Sequence, residues 1–360
     1  MPAGFPKDAP ERESPAARHG EGWYVGPLRL ARLSTNLRTV RPRAWTILFC
    51  LTLLAGLAFW LRCRVGGPVL SDQVMQFRVE RAAAGLVVGA GLGFAGVLLQ
   101  CLFRNPLASP ELLGMSSGAG VAVMLWQLGA YHAGLGIAQT GMANIGAGVA
   151  LPGAVGALGL TYMLSQRRGM IEPVTLILTG VVVGIIAAAC ISLIQQLLPD
   201  RGVAASRLLL GAINDDVQWW GIAVAGAVTV LCGARAWSRG GAMDVASLSD
   251  DEARSLGVRL GFLRVELFLL AGVLTSVTFA IAGPVAFVGL VCPHLVRQLI
   301  GPNHRPLLVG SALLGGAMVV FADALVRTVD LGSGRLPISV LTALIGGPVL
   351  IWMLRRRRSL

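Results

Sequence analysis

The sequence predicts an all-α polytopic membrane protein with about ten transmembrane helices. Its 360 residues are 55% apolar and have a mean hydropathy of +0.71. Only 13% of them are charged, whereas a soluble domain carries about a quarter. Beyond residue 44, apolar runs long enough to cross a bilayer recur along the chain. These properties exclude an ordinary soluble enzyme. The predicted spans are 45–62, 82–103, 111–129, 143–165, 174–198, 217–236, 263–283, 285–300, 307–328 and 337–354.

The eighth predicted span, 285–300, is short for a complete crossing and follows the Gly283-Pro284 pair. Short helices at membrane depth occur where they pack against protein instead of lipid. We therefore expect a half-helix inside the bundle.

Basic residues predict the orientation. If ten spans alternate from a cytoplasmic N-terminus, roughly three quarters of the 30 lysines and arginines fall in cytoplasmic segments. This predicts a multi-pass protein of the cytoplasmic (inner) membrane with both termini in the cytoplasm. The net charge of +12 then reflects topology and not nucleic-acid binding. The predicted parts are a polar cytoplasmic arm, 1–43, a transmembrane domain, 44–354, with a cytoplasmic loop at 240–262, and a basic cytoplasmic tail, 355–360.

Glycines recur at helical spacing within the spans. Gly85, Gly89 and Gly93 lie four residues apart, as do Gly180 and Gly184. Small residues at this spacing let the backbones of two membrane helices approach closely. The pattern predicts close helix packing and carries no information about a substrate.

Two look-alikes of catalytic motifs and one missing motif argue against catalysis by this chain. The GxGxxG at 91–96 lies in mid-span, without the strand that a dinucleotide site requires. The GxSxG at 114–118 has no evident histidine and acid partners. A phosphate-binding GxxxxGK[ST] loop needs a lysine, and the only lysine is Lys7 in the polar arm. We predict no nucleotide site and, because the histidines and cysteines are dispersed, no metal site.

The most unusual segment is RNPLASPELLGMSSGA, at 104–119, between two spans. Two prolines, an arginine and a glutamate cannot continue a membrane helix. We therefore expect a loop that re-enters the bundle or docks against another surface.

A second polar segment, LSDDEARSLG at 248–257, has the signals of a short capped helix. Ser249 and Glu252 have capping-box spacing, and the acids at 250–251 suit the first turn. Gly257 can end the helix in a left-handed conformation. The residues alone allow an ordinary surface helix of about two turns.

These segments and two more resemble the FecCD-type permease family, which imports ferric siderophores, haem and vitamin B12. The resemblance covers 78–114, 248–257, 282–305 and 322–354, in the family's order. It implies the type II ABC importer permease fold. It also implies a second permease copy, identical or paralogous, two cytoplasmic ABC ATPases that carry ATP and Mg, and an extracytoplasmic substrate-binding protein. No cofactor is expected on this chain itself.

The resemblance also implies three sets of site residues. One set contacts the ATPase, a second docks the binding protein, and a third forms a structural loop motif on the cytoplasmic side. The coupling set is Leu248, Ser249, Asp250, Asp251, Glu252, Arg254, Leu256 and Gly257; the docking set is Arg78, Arg81 and Arg327; the loop motif is Arg104, Asn105, Pro106, Pro110 and Gly114.

The docking set has a competing interpretation. Glu80 replaces the proline usual in the family and could pair with a neighbouring arginine. Asp323 precedes Arg327 by four residues, the favourable order for a salt bridge within one helix. Structural pairing and docking could both hold.

The expected function is that of a membrane-spanning permease subunit moving a ferric siderophore or related iron chelate, with haem or vitamin B12 as alternatives. The resemblance puts the fifth and tenth spans around the pathway. The rivals are an ion-coupled secondary transporter, which would use Asp323 or Glu266 as a proton relay, and an intramembrane enzyme or receptor.

Overall fold

The computed structural model describes residues 42–65, 71–134, 142–167, 170–198, 211–213, 218–328 and 336–357. Of the predicted polar arm only residues 42 and 43 fall within these ranges, and the predicted basic tail is described as far as residue 357. The described residues are almost entirely helical. Within these ranges lie eleven α-helices, a 3₁₀ turn at Pro110–Leu113 and a pair of antiparallel two-residue strands, β1 Gln166–Arg167 and β2 Met170–Ile171.

The helices follow the order of the apolar runs, with one short helix inserted in the predicted cytoplasmic loop. They are α1 Pro42–Arg64, α2 Asp72–Leu102, α3 Met115–His132, α4 Met142–Ser165, α5 Pro173–Leu197, α6 Trp219–Ala246, α7 Asp250–Ser255, α8 Leu260–Ala282, α9 Val288–Ile300, α10 His304–Thr328 and α11 Ile338–Arg357.

Seven candidate membrane spans lie on α1, α2, α4, α5, α6, α8 and α10 when the described residues are judged by length and hydropathy. The apolar parts of α9 and α11 are shorter. The all-helical membrane architecture is therefore confirmed, whereas the count of ten crossings stays a prediction.

Two helices extend well beyond their predicted bounds. Helix α2 begins ten residues earlier than predicted because Ser71 caps it, accepting a hydrogen bond from the Val74 amide at 3.4 Å, and Asp72 occupies its first turn. Helix α6 continues to Ala246, so the predicted loop at 240–262 narrows to 247–259. The hydropathy prediction stopped these spans at charged residues, but those charged residues are part of the helices.

The centre of the bundle is the contact between α2 and α10, formed by the predicted glycine ladder. A methyl group on Gly89 would lie 2.1 Å from the Gly315 carbonyl oxygen, and one on Gly93 would lie 2.2 Å from that of Ser311. Both distances are too short for any side chain. The prediction that this ladder serves helix packing is confirmed.

Helix α9 is a half-helix within the bundle, as predicted. Its 13 residues reach about 20 Å, less than the thickness of the hydrocarbon core. Its first turn lies beside Gly315, near the middle of α10, and Gly289 packs against the backbone at Gly96 of α2. Most of its residues are buried, so α9 packs mainly against protein.

Two ends of the bundle are used as landmarks below. At one end, which we call the coupling end after the role that the resemblance implies for α7, α2 and α6 finish, α8 and α10 begin, and α7 lies between α6 and α8 in the chain. Asp244 near the end of α6 accepts hydrogen bonds there from the backbone amide of His304 at 2.9 Å and from its ring Nδ1 at 2.6 Å. At the opposite end, α1 and α10 finish and α2 begins.

Candidate functional site

The start of α7 is a complete capping box. The Ser249 hydroxyl accepts a hydrogen bond from the Glu252 amide at 3.3 Å, and the Ser249 amide donates to Glu252 Oε2 at 3.1 Å. The Ser249 hydroxyl also donates to Glu252 Oε2 at 2.8 Å. This hydrogen bond and the one from the Ser249 amide hold the pKa of the Glu252 carboxyl below its ordinary value. The capping box predicted from residue spacing is therefore confirmed.

The end of α7 is equally well defined. Gly257 has a left-handed φ of 82°, and its amide donates to the Arg254 carbonyl at 2.9 Å. The Val258 amide donates to the Ala253 carbonyl at 3.0 Å, which completes a Schellman motif. A helix of only six residues is thus fixed at both ends by its own sequence.

The outer face of α7 combines charges with two large apolar side chains. Leu248 is 45% exposed and Leu256 is 56% exposed. Asp251, Glu252 and Arg254 are also exposed, whereas Ala253 is fully buried against the bundle. Apolar groups surrounded by charges are typical of a surface that contacts another protein.

An ion-pair triad links α7 to the bundle. Asp250, the first residue of α7, binds Arg104 Nη1 through Oδ1 at 2.6 Å. It also accepts hydrogen bonds from Arg264 Nη2 at 2.9 Å on both carboxylate oxygens. Arg104 Nε donates to the Ala246 carbonyl at 2.8 Å as well. The triad therefore links α7 to the end of α2 and the start of α8 and, through Arg104, to the end of α6.

This triad also sets the protonation of Asp250. Partial burial acts to raise the pKa of its carboxyl, but the hydrogen bonds and charges of Arg264 and Arg104 outweigh burial and leave that pKa below its ordinary value. The carboxylate is therefore fully ionised at neutral pH.

The loop-motif residues form a re-entrant segment, which we define as residues 104–114. Asn105 Oδ1 accepts a hydrogen bond from the Leu107 amide at 2.9 Å. This bond closes a local turn of the chain around Pro106. Pro110 then reaches the first turn of α9, where a methyl group on Gly289 would lie 2.7 Å from its ring. The segment thus rises from the coupling end to the middle of the bundle, as expected for a loop that re-enters.

The re-entrant segment ends on two helices of the bundle. Gly114, with a φ of 71°, lies so close to α5 that a methyl group on it would be 2.9 Å from the Gly180 carbonyl oxygen. Glu111 Oε1 accepts a hydrogen bond from the Phe287 amide at 3.2 Å. Phe287 immediately precedes α9, so this acidic side chain lies at the positive end of a helix dipole.

At the opposite end, one buried carboxylate holds two arginines. Asp323 of α10 pairs with Arg62 of α1 at 2.5 Å and with Arg81 of α2 at 2.8 Å. Arg62 and Asp323 are each only 1% exposed. Burying charges is costly unless they are paired, so the cluster joins three helices through one network.

The predicted docking residues lie at or beside this cluster. Arg78 is 5% exposed and donates to the Cys63 carbonyl at 3.1 Å, and Arg81 is 6% exposed. Arg327 is half-buried with its guanidinium 5.9 Å from the centre of the Phe77 ring. Glu80 accepts a hydrogen bond from Gln76 at 3.0 Å. The three arginines share one end of the bundle, and docking remains a prediction.

Both carboxylates that an ion-coupled transporter would use are in ion pairs. Asp323 binds two arginines, as described, and Glu266 binds Arg235 at 2.6 Å and Arg239 at 2.8 Å. A proton relay needs a carboxyl whose charge changes readily. Each carboxylate is already bound by two arginines, and this pairing disfavours that rival.

Sequence reasoning missed three of these residues. Arg264 and Arg62 stood out by no motif, because each meets its carboxylate only through folding. Glu111 was part of the unusual segment, but its partner Phe287 lies 176 residues away. Its position, directly before the 3₁₀ turn's apolar residues, carried no signal for that contact.

Known proteins resemble this chain over most of its length. The model of the FecCD transport family matches residues 44–356. The vitamin B12 import system permease protein BtuC of Serratia proteamaculans is 34% identical over 320 residues, covering 87% of this chain and 91% of that protein. BtuC of Yersinia pseudotuberculosis is 35% identical over 289 residues, covering 79% of this chain and 82% of that protein.

A solved structure agrees with the fold. An inward-facing transporter reported as a metal-chelate type ABC transporter has a TM-score of 0.75 and 30% sequence identity, covering 87% of this chain and 99% of the matched chain. The family match spans α7, the re-entrant segment and the arginine cluster together. This chain belongs to the FecCD transport family of ABC importer permeases.

Proposed function

We propose that this chain imports a ferric siderophore or related iron chelate across the cytoplasmic membrane by alternating access, driven by a separate ATPase. The assembly would contain two permease copies, two cytoplasmic ATPases and an extracytoplasmic binding protein. ATP and Mg would bind the ATPases and not this chain. Both termini would lie in the cytoplasm.

The observation that carries this proposal is the outward face of α7. A six-residue helix capped at both ends is a rigid projection, and its exposed Leu248 and Leu256 suit a cleft in a partner. The Asp250 triad ties the helix to three parts of the bundle, so a force on α7 would reach the transmembrane helices. An ordinary surface helix needs neither feature.

The proposed pathway runs along α5 and α11. Helix α5 exposes a row of aliphatic side chains, including Val174 at 73% and Leu178 at 65%. Gln196 adds one exposed polar group near its end. A weakly polar wall suits a bulky solute that must pass without being held. Such a wall does not select one chelate, so selectivity is assigned to the binding protein.

Vitamin B12 is the second candidate substrate, because the similar proteins from Serratia and Yersinia are named as vitamin B12 permeases. Uptake by cells that express the whole transporter separates the candidates. The probes are iron-labelled ferrichrome, iron-labelled haem and cobalt-labelled cyanocobalamin. Uptake of ferrichrome alone supports the first proposal, and uptake of cyanocobalamin alone replaces it with the second. Uptake insensitive to orthovanadate, which blocks ABC ATPases, would overturn both.

The role of α7 is tested by Glu252→Pro. Proline at this position has no amide hydrogen, so the hydrogen bond to the Ser249 hydroxyl is lost. Proline also drives the preceding residue, Asp251, out of the helical conformation. We expect uptake to be lost while the chain still inserts in the membrane. Glu252→Gln is the matched control, since glutamine preserves a capping box and should retain uptake. Normal uptake by correctly inserted Glu252→Pro would refute the coupling role.

A further inference from the structure

The triad at α7 and the hydrogen bond at α9 lie at the two ends of one continuous stretch of chain. Arg104, the first residue of the re-entrant segment, binds Asp250 at 2.6 Å and the Ala246 carbonyl at 2.8 Å. Seven residues later, Glu111 binds the Phe287 amide at 3.2 Å. The segment therefore links the exposed helix at the coupling end to the half-helix in the middle of the bundle.

Backbone strain occurs at Arg104, where this link begins, and at Phe287, the residue that Glu111 binds. Among the described residues, the non-glycine residues with left-handed φ are Arg104, at 48°, and Phe287, at 66°. Such conformations are unfavourable for residues with a Cβ and persist only where the surroundings impose them. At Arg104 the surroundings are the Asp250 and Ala246 contacts, and at Phe287 they include the Glu111 carboxylate. Strain of this kind is a common property of elements that switch.

Close packing at residues 108–110 and at Gly114 limits how far the segment can absorb movement between its ends. Pro110 fills the space beside Gly289, so a residue larger than glycine would not fit at position 289. Gly114 rests on the backbone of α5 at Gly180. Local turns, such as that at Asn105, stiffen the first half. A displacement of Arg104 must therefore be passed on to α9, to α5 or to both.

We infer that residues 104–114 are a relay that carries the movement of α7 to the half-helix α9 and to α5, with Arg104 and Glu111 as its positioning residues. This inference rests on the proposed function, because α7 moves only if an ATPase pushes it. Glu111 holds the first turn of α9 through the Phe287 amide, and Arg104 holds the segment to α7. Neither residue needs to touch the substrate.

The experiment measures ATP hydrolysed per chelate imported by the complete transporter in liposomes. The probe is whichever of labelled ferrichrome, haem and cyanocobalamin the wild-type transporter imports. The variants are Arg104→Ala, Glu111→Ala and the double variant. Glu111→Gln tests rescue, since its amide oxygen can still accept the Phe287 hydrogen bond. Arg259→Ala, at an exposed arginine of the same 247–259 loop, is the matched control.

We expect each alanine variant to raise the ATP consumed per chelate by about fivefold or more, the usual lower range for coupled sites. Glu111→Gln should restore most of the wild-type ratio, and Arg259→Ala should keep it. Because both residues act on one route, the double variant should lose no more than the worse single variant. A merely structural role would lower assembly and ATP hydrolysis along with import, and would leave the ratio unchanged.

Wild-type ratios in both single variants, or losses that multiply in the double variant, would overturn the relay. If Arg104→Ala fails to assemble with the ATPase, Glu111→Ala decides alone, because Glu111 lies away from the α7 surface. Failure of the proposed function looks different, since the wild-type transporter itself would then import none of the probes or import them without ATP.

Discussion

The buried carboxylate at the opposite end of the bundle gives the sharpest test of the structure. Asp323→Asn keeps the size of the side chain and removes its charge. Arg62 and Arg81 would then share a neutral amide in a site where Arg62 is only 1% exposed. Within the described residues, Nη1 and Nη2 of Arg62 have no other hydrogen-bond partner. The variant removes the carboxylate charge that these two buried arginines share.

The expected cost follows from this arrangement. Removing one partner of a buried ion pair destabilises a protein by about 3–5 kcal/mol. Since Asp323 serves two arginines, we expect a loss near the upper end of that range. Replacing all three charges by leucine removes the desolvation penalty together with the attraction, so the triple variant should be within about 2 kcal/mol of the wild type.

The assay is equilibrium unfolding of the purified chain in mixed micelles, followed by circular dichroism. Asp72→Asn is the control, because Asp72 is an exposed acid in the first turn of α2 and contributes less than about 1 kcal/mol through the helix dipole. If Asp323→Asn costs no more than this control, the cluster does not hold α1, α2 and α10 together. A triple variant less stable than Asp323→Asn would refute the electrostatic argument as well.

Three further predictions concern the two ends and the core. Arg78→Glu should weaken capture of the binding protein, more so at low salt. An unchanged affinity, measured by surface plasmon resonance at low salt, would contradict docking. Arg81→Glu tests docking less cleanly because Arg81 also belongs to the buried cluster. Because the pKa of Asp250 is lowered in the folded chain, its contribution to stability is present above its unfolded pKa of about 3.9 and is lost as the pH falls through the lower folded pKa. Asp250→Asn should therefore lower the melting temperature at pH 7, and the difference from wild type should vanish in acid. Gly89→Ala should separate α2 from α10 and cost about 1–3 kcal/mol in unfolding experiments, whereas Gly56→Ala, with open space around it, should be neutral.

Features set by local sequence could be predicted. The capping box at Ser249 and Glu252, the left-handed end at Gly257 and the glycine ladder of α2 each depend on residues within a few positions of one another. The half-helix α9 followed from a short apolar run after a glycine and a proline. In all these cases the physical cause lies in the segment itself.

Features that need distant partners could not. Asp323 meets Arg62 across 261 residues and Arg81 across 242 residues, and no spacing rule reports such a meeting. For the same reason hydropathy placed the start of α2 too late in the sequence. A hydropathy scale treats Arg81 as a solvated charge and not as one neutralised inside the bundle. The pairing of Glu111 with Phe287 was hidden in the same way.

The two ion clusters differ in exposure, and this difference suits their places in the molecule. The Asp323 cluster is sealed from water, so breaking it is costly and it acts as a fixed joint between helices. Arg104 and Asp250 are each about one third exposed, and such pairs contribute only about 0–1 kcal/mol. The weaker pair cannot hold α7 rigidly by its energy alone. Its value lies in where it connects, because Arg104 is the first residue of the re-entrant segment and its movement displaces that segment. The proposed alternating-access cycle needs one joint that stays closed and another that can be loaded and released, and their exposures suit the Asp323 cluster to the first role and the Asp250 triad to the second.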